Sequence, residues 1–156
     1  MNSNILEATI EFEGKLYQLI DLPLHDNSPR LSVSDLACSL SLEHWCATRS
    51  LLMAGVLPSA VVVLRAQFEA LLRSIWILYA ASDVQLSKLS AELTIETEQT
   101  AKNLPQVAEM MAAINKKGPA QAYDSLNQFK ENLWKGLNSY AHAGLHPIRR
   151  YTDGYP

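Results

Sequence analysis

Several features that mark common protein classes are missing from this 156-residue sequence. It has only two cysteines, Cys38 and Cys46, on a stretch that we expect to be a single helix. Their separation along such a helix is about 12 Å, which is more than the Cα distance that a disulfide permits. A fold held together by disulfides is therefore excluded. Unpaired thiols suit a reducing compartment, so we expect a cytoplasmic protein.

A long uncharged apolar run is also missing. The best candidate for a membrane span, residues 58–82, is interrupted by Arg65, Glu69 and Arg73, and charges of this kind are costly inside a bilayer. The opening residues, MNSNILEATIEFEG, are charged and lack the apolar core of a signal peptide. We expect no signal peptide and no membrane partner.

The sequence has no strong excess of charge. The formal net charge is -3 at pH 7, and charged residues make up 19% of the chain. This balance gives no general attraction to nucleic acids or anionic membranes, so a nucleic-acid site would have to be a local basic patch. Basic residues do cluster in the last third of the chain, among them Lys135 and the adjacent pair Arg149 and Arg150.

Signatures of nucleotide, ester and metal chemistry are missing as well. The sequence contains no P-loop, GxGxxG, GxSxG, HExxH or zinc-finger spacing. His142 and His146 are four residues apart, but Gly144 and Pro147 interrupt the helix that would place them on one face. No cysteine or acidic residue is placed to complete a ligand set. We predict no metal site and no cofactor.

Helical periodicity dominates the rest of the chain, and no strand-like run or βαβ alternation occurs. We predict an all-α fold, with residues 1–156 forming a single-domain bundle of five to six helices. Its parts are an N-terminal helix and loop over 1–30, a helical core over 31–144 and an irregular tail over 145–156. The predicted helices cover about 4–20, 32–54, 58–81, 83–102 (with a break or bend near Thr94), 105–115 and 119–143.

The helix over 58–81 organises this prediction, because it is apolar nearly all round and should be buried. Its only charges are Arg65, Glu69 and Arg73, which are spaced by four and form one narrow stripe. In one interpretation the stripe is a structural ion-pair ladder. In the other, the arginine left over after pairing faces a cleft and binds an anion.

The end of the last long helix carries a second group of polar residues. Lys135, Asn138 and His142 share one stripe, which helical geometry places opposite the apolar seam of Leu126, Leu133, Leu137 and Tyr140. His146, Arg149, Arg150 and Tyr151 follow. Histidine can move protons near neutral pH and arginine can bind phosphate, so this cluster could handle a phosphate group. The alternative is a solvated helix end whose cations match the helix dipole.

Two segments resemble known proteins. LRAQFEALLRSIWILYAASD and FKENLWKGLNSYAHAGLHPIRR together resemble a family of small, uncharacterised, all-helical bacterial proteins. The chain is more distantly similar to the HEPN superfamily, whose up-and-down helical proteins often dimerise and include metal-independent ribonucleases and toxins. Their motif places an Arg, a polar residue and then a His on the last long helix, where this sequence has Lys135, Gly136 and His142.

The resemblance implies three candidate catalytic residues, Lys135, Asn138 and His142. His142 would move the proton of a ribose 2′-OH, while Lys135 or one of Arg149 and Arg150 would stabilise the phosphate.

Three functions follow from these observations. The leading one is a homodimeric binding or interaction module. The first alternative is a HEPN-like ribonuclease or toxin-system component that acts on RNA through His142. The second is a small-anion or small-molecule binder, with a pocket between the central and last helices lined by Arg65, Glu69, Trp76 and His142. Candidate ligand-binding residues are Arg65, Glu69, Arg73, His146, Arg149 and Arg150.

Overall fold

The computed structural model describes residues 3–101 and 103–154. The described chain is all-helical and contains no strand, which confirms the predicted fold class. It has eight helices where five to six were predicted. These are α1 (Ser3–Ile20), α2 (Pro29–Met53), α3 (Leu57–Tyr79), α4 (Asp83–Ser90), α5 (Ile95–Ala101), α6 (Val107–Lys117), α7 (Ala120–Ala141) and α8 (Leu145–Asp153).

One of the additional helices arises because the predicted helix over 83–102 is divided. The chain leaves helical geometry at Ala91, whose ψ is 149°. The hydroxyl of Thr94 then accepts a hydrogen bond from the backbone N–H of Thr97 at 3.2 Å. This is N-capping at the start of α5, and it confirms the predicted break near Thr94. The predicted capping box of Ser82 and Gln85 starts α4.

The other additional helix is α8, so the predicted irregular tail was wrong. The chain turns sharply after α7, where the N–H of Gly144 bonds to the carbonyl of Ser139 at 2.6 Å. A Cβ on Gly144 would lie 2.7 Å from the Ser139 hydroxyl, so only glycine fits this close approach. The same hydroxyl accepts from the N–H of His146 at 3.1 Å. Pro147 falls in the first turn of α8, where its missing N–H needs no acceptor.

The antiparallel pair of α2 and α3 forms the framework of the fold. Gly55, at φ +74°, lies in the tight turn between them. Small residues then allow the two backbones to approach closely. The hydroxyl of Ser34 donates to the carbonyl of Ser74 at 3.0 Å, and Ser74 donates to the carbonyl of Ser34 at 2.9 Å. Ser41 donates to the carbonyl of Gln67 at 3.1 Å.

The core lies between α3, α6 and α7, as the apolar character of the central helix predicted. Its fully buried side chains are Leu72, Trp76 and Ile77 of α3 with Met110 and Ile114 of α6. Phe68 of α3 stacks on Phe129 of α7, with ring centroids 4.7 Å apart. Burial of these large side chains supplies most of the stabilisation of the helix packing.

The N-terminal helix α1 lies outside this core, against α2. No helix in the described part of the chain is both long enough and apolar enough to cross a membrane.

Candidate functional site

The predicted stripe of α3 divides into one satisfied arginine and one unsatisfied one. Arg65 bonds to the Glu69 carboxylate through Nη2 at 2.8 Å and to the Asn138 side-chain oxygen through Nε at 2.8 Å. Its guanidinium carbon also lies 5.2 Å from the ring centroid of Trp134. The charge, the Nε–H and the planar face of Arg65 all have partners. Because Asn138 and Trp134 lie on α7, Arg65 links α3 to α7.

Arg73 is the arginine left over. Within the described residues, its buried Nη1 atom has no hydrogen-bond partner. Burial lowers the pKa of the Arg73 guanidinium, and the negative charge of Glu69 partly opposes that shift. Glu69 directs its carboxylate to Arg65. The stripe therefore retains one positive charge that the Arg65–Glu69 pair does not neutralise.

The predicted stripe on α7 is not a single solvent-facing row. Lys135 and His142 are exposed, and His142 is the C-cap of the helix. Asn138, however, is half-buried and faces α3, where it accepts the hydrogen bond from Arg65. The packed side of α7 is rotated from the predicted seam, since Leu133 is 44% exposed while Trp134 packs against the core. Side-chain contacts thus separate Asn138 from the other two candidates.

The candidate residues beyond α7 lie on α8. His146, Arg149 and Arg150 are exposed and line a shallow cavity of 210 Å³ together with Leu145 and Asp153. Arg150 also borders a groove of 410 Å³ at the turn between α2 and α3. The same helix also carries the exposed apolar residues Leu145 and Ile148.

The predicted pocket residues between the central and last helices do not share a cavity. Trp76 is 1% exposed in the core, and Arg65 is engaged by Glu69 and Asn138. A cavity of 230 Å³ does lie between α3 and α7, but other residues line it. They are Leu64, Gln67, Phe68, Leu71, Ser125, Leu126 and Phe129.

Sequence reasoning missed a polar cluster between α1 and α2. Glu13 is only 9% exposed, and its carboxylate accepts a short hydrogen bond from Nη1 of Arg49. The thiol of Cys46 donates to the same carboxylate at 3.0 Å. The Tyr17 hydroxyl lies 3.7 Å from the Cys46 sulfur, and this hydrogen bond raises the pKa of Tyr17.

The sequence contained only a partial signal for this cluster. Glu13 lies in the middle of the apolar arc of α1, where a carboxylate needs a partner. The identity of that partner depends on the tertiary packing of α1 on α2, which helical periodicity does not reveal.

Sequence reasoning also missed a second apolar cavity, of 240 Å³, between α1, α2 and α3. It shares Gln67 and Leu71 with the cavity between α3 and α7, so the two adjoin along one edge of α3. Two polar atoms of residues in its lining, Trp45 Nε1 and Gln67 Oε1, are buried without a hydrogen-bond partner in the described structure. Its lining consists of Phe12, Leu16, Ile20, Cys38, Ser41, Leu42, Trp45, Gln67 and Leu71.

The described residues form no cluster that could bind a metal ion. Across residues 3–101 and 103–154, no group of three or more His, Cys, Asp or Glu side chains lies close enough to hold an ion. Cys38 and Cys46 both lie on α2 and are free thiols, in agreement with the spacing argument.

The fold and these sites describe a helical domain. A model of a family of unknown function (DUF6988) matches residues 38–156. Because the match covers most of the chain, the protein belongs to that family. The match begins within α2, so α1 lies outside it. No curated protein and no solved structure matches the chain.

Proposed function

We propose that the protein is a homodimeric interaction module in which α1 of each subunit packs against the other subunit. One observation supports the proposal: the apolar arc of α1 is wider than the part that α2 covers. Among the α1 residues whose burial the structure describes, only Thr9, Glu13 and Leu16, which form a central row, are half-buried or buried. Large apolar side chains on both flanks are 40–72% exposed: Ile5, Ile10, Phe12, Tyr17, Leu19 and Ile20.

The arc spans about half of the helix circumference. A helix with so wide an apolar face usually lies in a groove between two neighbours rather than on one. Exposed apolar surface of this kind is characteristic of sites that bind another protein. We therefore expect α1 to pack against a further partner outside the single chain.

A second copy of the chain is the occupant that fits this surface. The flank with Phe12 borders the 240 Å³ cavity, and no charged side chain lines that cavity. In a two-fold dimer the same patch lies on both subunits, so each α1 flank could cover the groove beside its twin. At 18 residues, α1 is about 27 Å long, enough to run across a typical interface.

The test is the oligomeric state of the purified chain by light scattering. We expect a dimer at about 10 µM, a concentration at which a specific protein interface of ordinary size is populated. Leu19→Glu places a charge on the exposed apolar flank and should give a monomer. Gln18→Glu introduces the same charge on the polar side of the same helix and should leave the dimer intact. A monomeric wild-type chain, or equal effects of both variants, would remove the proposal.

The same proposal includes the cytoplasmic location, the bacterial origin and the HEPN-like relationship that the resemblance implies.

A metal-independent ribonuclease remains the second candidate. It is favoured by the cavity that His146, Arg149 and Arg150 share, since histidine can transfer a proton and arginine can bind phosphate. RNA cleavage in EDTA by the wild type, lost in His142→Ala with an unchanged oligomeric state, would establish it. Equal cleavage by both proteins would exclude this role for His142.

A small-anion binding role is favoured by Arg73, whose buried Nη1 has no partner in the described part of the chain. Inorganic phosphate should then raise the melting temperature of the wild type and not that of Arg73→Met. An equal rise in both proteins would place the anion elsewhere.

A further inference from the structure

The cavity between α1, α2 and α3 has the properties of a ligand site. Its volume is 240 Å³, whereas an engineered apolar cavity of about 150 Å³ is sufficient to bind benzene. Apolar and aromatic side chains form most of its wall. Phe12 and Trp45 face each other there, with ring centroids 6.4 Å apart at an angle of 56°. A flat ring or a short aliphatic chain would fill this space.

The lining excludes a charged ligand. All nine lining residues are uncharged. An ion placed among them would lose its hydration without gaining a counter-charge, which is strongly unfavourable. The ligand must therefore be neutral.

Two unpaired polar groups define the other requirement. Among the described residues, the indole N–H of Trp45 has no acceptor and the side-chain oxygen of Gln67 has no donor. The two residues lie on facing helices, because Ser41, one turn before Trp45, bonds to the carbonyl of Gln67. Buried groups of this kind usually have partners, so two such groups on residues that line one cavity need an explanation.

We propose that this cavity binds a small neutral molecule with an apolar body and one amide-like group. Both polar atoms are buried, so each side chain must rotate towards the cavity before the ligand's carbonyl can accept from the Trp45 N–H and its N–H can donate to the Gln67 oxygen. A primary amide offers both functions within one group, whereas a hydrocarbon offers neither. The site is separate from the polar ends of α7 and α8, and its occupation does not require the proposed dimer.

The experiment is a titration of the full chain with benzamide, followed by the NMR signals of the indole N–H groups. Trp45→Phe identifies the Trp45 signal. We expect that signal to move and to saturate at millimolar benzamide, the affinity range of so small a ligand. Benzoate has nearly the same shape with a negative charge, and we expect it to bind at least about tenfold more weakly.

Two variants test the location. Leu71→Trp should fill the cavity and abolish the binding of benzamide, whereas Leu71→Met should retain it. Leu71 is 38% exposed, so the larger side chain can be accommodated at the cavity mouth. Trp45→Phe keeps a ring but removes the donor, and it should weaken benzamide binding about tenfold, measured by calorimetry.

Absence of saturable benzamide binding to the wild type would overturn the proposal. Equal affinity for benzamide and benzoate would do the same, because it would contradict the neutral lining. Unchanged affinity in Leu71→Trp or in Trp45→Phe would place the ligand elsewhere.

Discussion

The polar groups at the junction of α3 and α7 are more fully paired than those at the junction of α1 and α2. At the first, Arg65 has partners for its charge, its Nε–H and its ring face, and the aromatic rings of Phe68 and Phe129 stack beside it. At the second, Glu13 is paired with Arg49, but Phe12 and Trp45 of the same two helices line an open cavity, and the Trp45 N–H has no partner in the described structure.

The difference separates residues that stabilise the fold from residues that are available for binding. At the α3–α7 junction the hydrogen-bonding groups of Arg65 are already paired, so a further polar partner would add little there. This junction also contains an apolar cavity of 230 Å³, but no unpaired polar atom of α7 in the described structure lines it. An unsatisfied junction can lower its free energy by acquiring a partner. On this basis we propose α1, rather than the charged stripe of α3, as the binding surface.

The largest expected effect contrasts the two regions by truncation of an apolar side chain. Leu72 has no exposed surface, so Leu72→Ala should lower the free energy of unfolding by about 3 kcal/mol. Ile20 is 40% exposed beside the cavity, and Ile20→Ala should cost less than about 1 kcal/mol. Urea denaturation measures both. Equal losses would contradict the view that α1 packs incompletely.

The next effect concerns the ion pair that holds α1. The side chains of Arg49 and Glu13 are 21% and 11% exposed, so Glu13→Gln leaves a largely buried positive charge and should cost about 2 kcal/mol. Amide hydrogen exchange should show the loss mainly within α1. Replacing both residues with leucine should recover much of the stability, since no unpaired charge then remains. If the double leucine variant is as unstable as Glu13→Gln, the ion pair itself contributes favourably to stability.

Two polar substitutions should have effects of opposite sign. Asn138→Ala removes the acceptor of the Arg65 Nε–H and should lower stability by about 1 kcal/mol. Lys135→Ala, at an exposed position of the same helix, is the control and should have little effect. Gln67→Leu removes a buried oxygen that has no partner, and it should raise stability by up to about 1 kcal/mol. Thermal unfolding compares the three variants. A destabilised Gln67→Leu would indicate that this oxygen is already satisfied.

The smallest effect concerns the thiol in the cavity wall. Burial raises the pKa of Cys38, and the negative charge of Asp35 raises it further. The thiolate is the reactive form, so iodoacetamide should modify Cys38 in a Cys46→Ser background severalfold more slowly than a free thiol at pH 8. The rate should increase with pH through the raised pKa. Asp35→Asn should speed the reaction slightly, and no change would remove Asp35 as a cause.

Much of the fold could be predicted because it depends on local patterns. The central apolar helix, the capping box at Ser82, the break near Thr94 and the end of α6 at Gly118 all follow from residues within a few positions of each other. The helix α8 was missed because its start is not determined by local patterns of this kind. Its start depends on the hydroxyl of Ser139, seven residues before His146, and glycine and proline in the turn predicted an irregular tail instead.

The candidate site was harder to predict because its determinants lie far apart in the sequence. The stripe of Arg65, Glu69 and Arg73 was visible from spacing alone, but the capture of Arg65 by Asn138 joins residues 73 positions apart. The pairing of Glu13 with Arg49 and the cavity beside it depend on where α1 packs. Periodicity indicates that α1 has an apolar face, but not that only the centre of this face is covered.

The most direct test of the account is hydrogen exchange of the wild-type chain at two protein concentrations, below and above the expected dimer dissociation constant. We predict that amides of α1 become more protected at the higher concentration, while those of α3 and α7 around Arg65 do not change. Protection of α1 that is independent of concentration, or a concentration-dependent change confined to α8, would contradict the assignment of α1 as the binding surface.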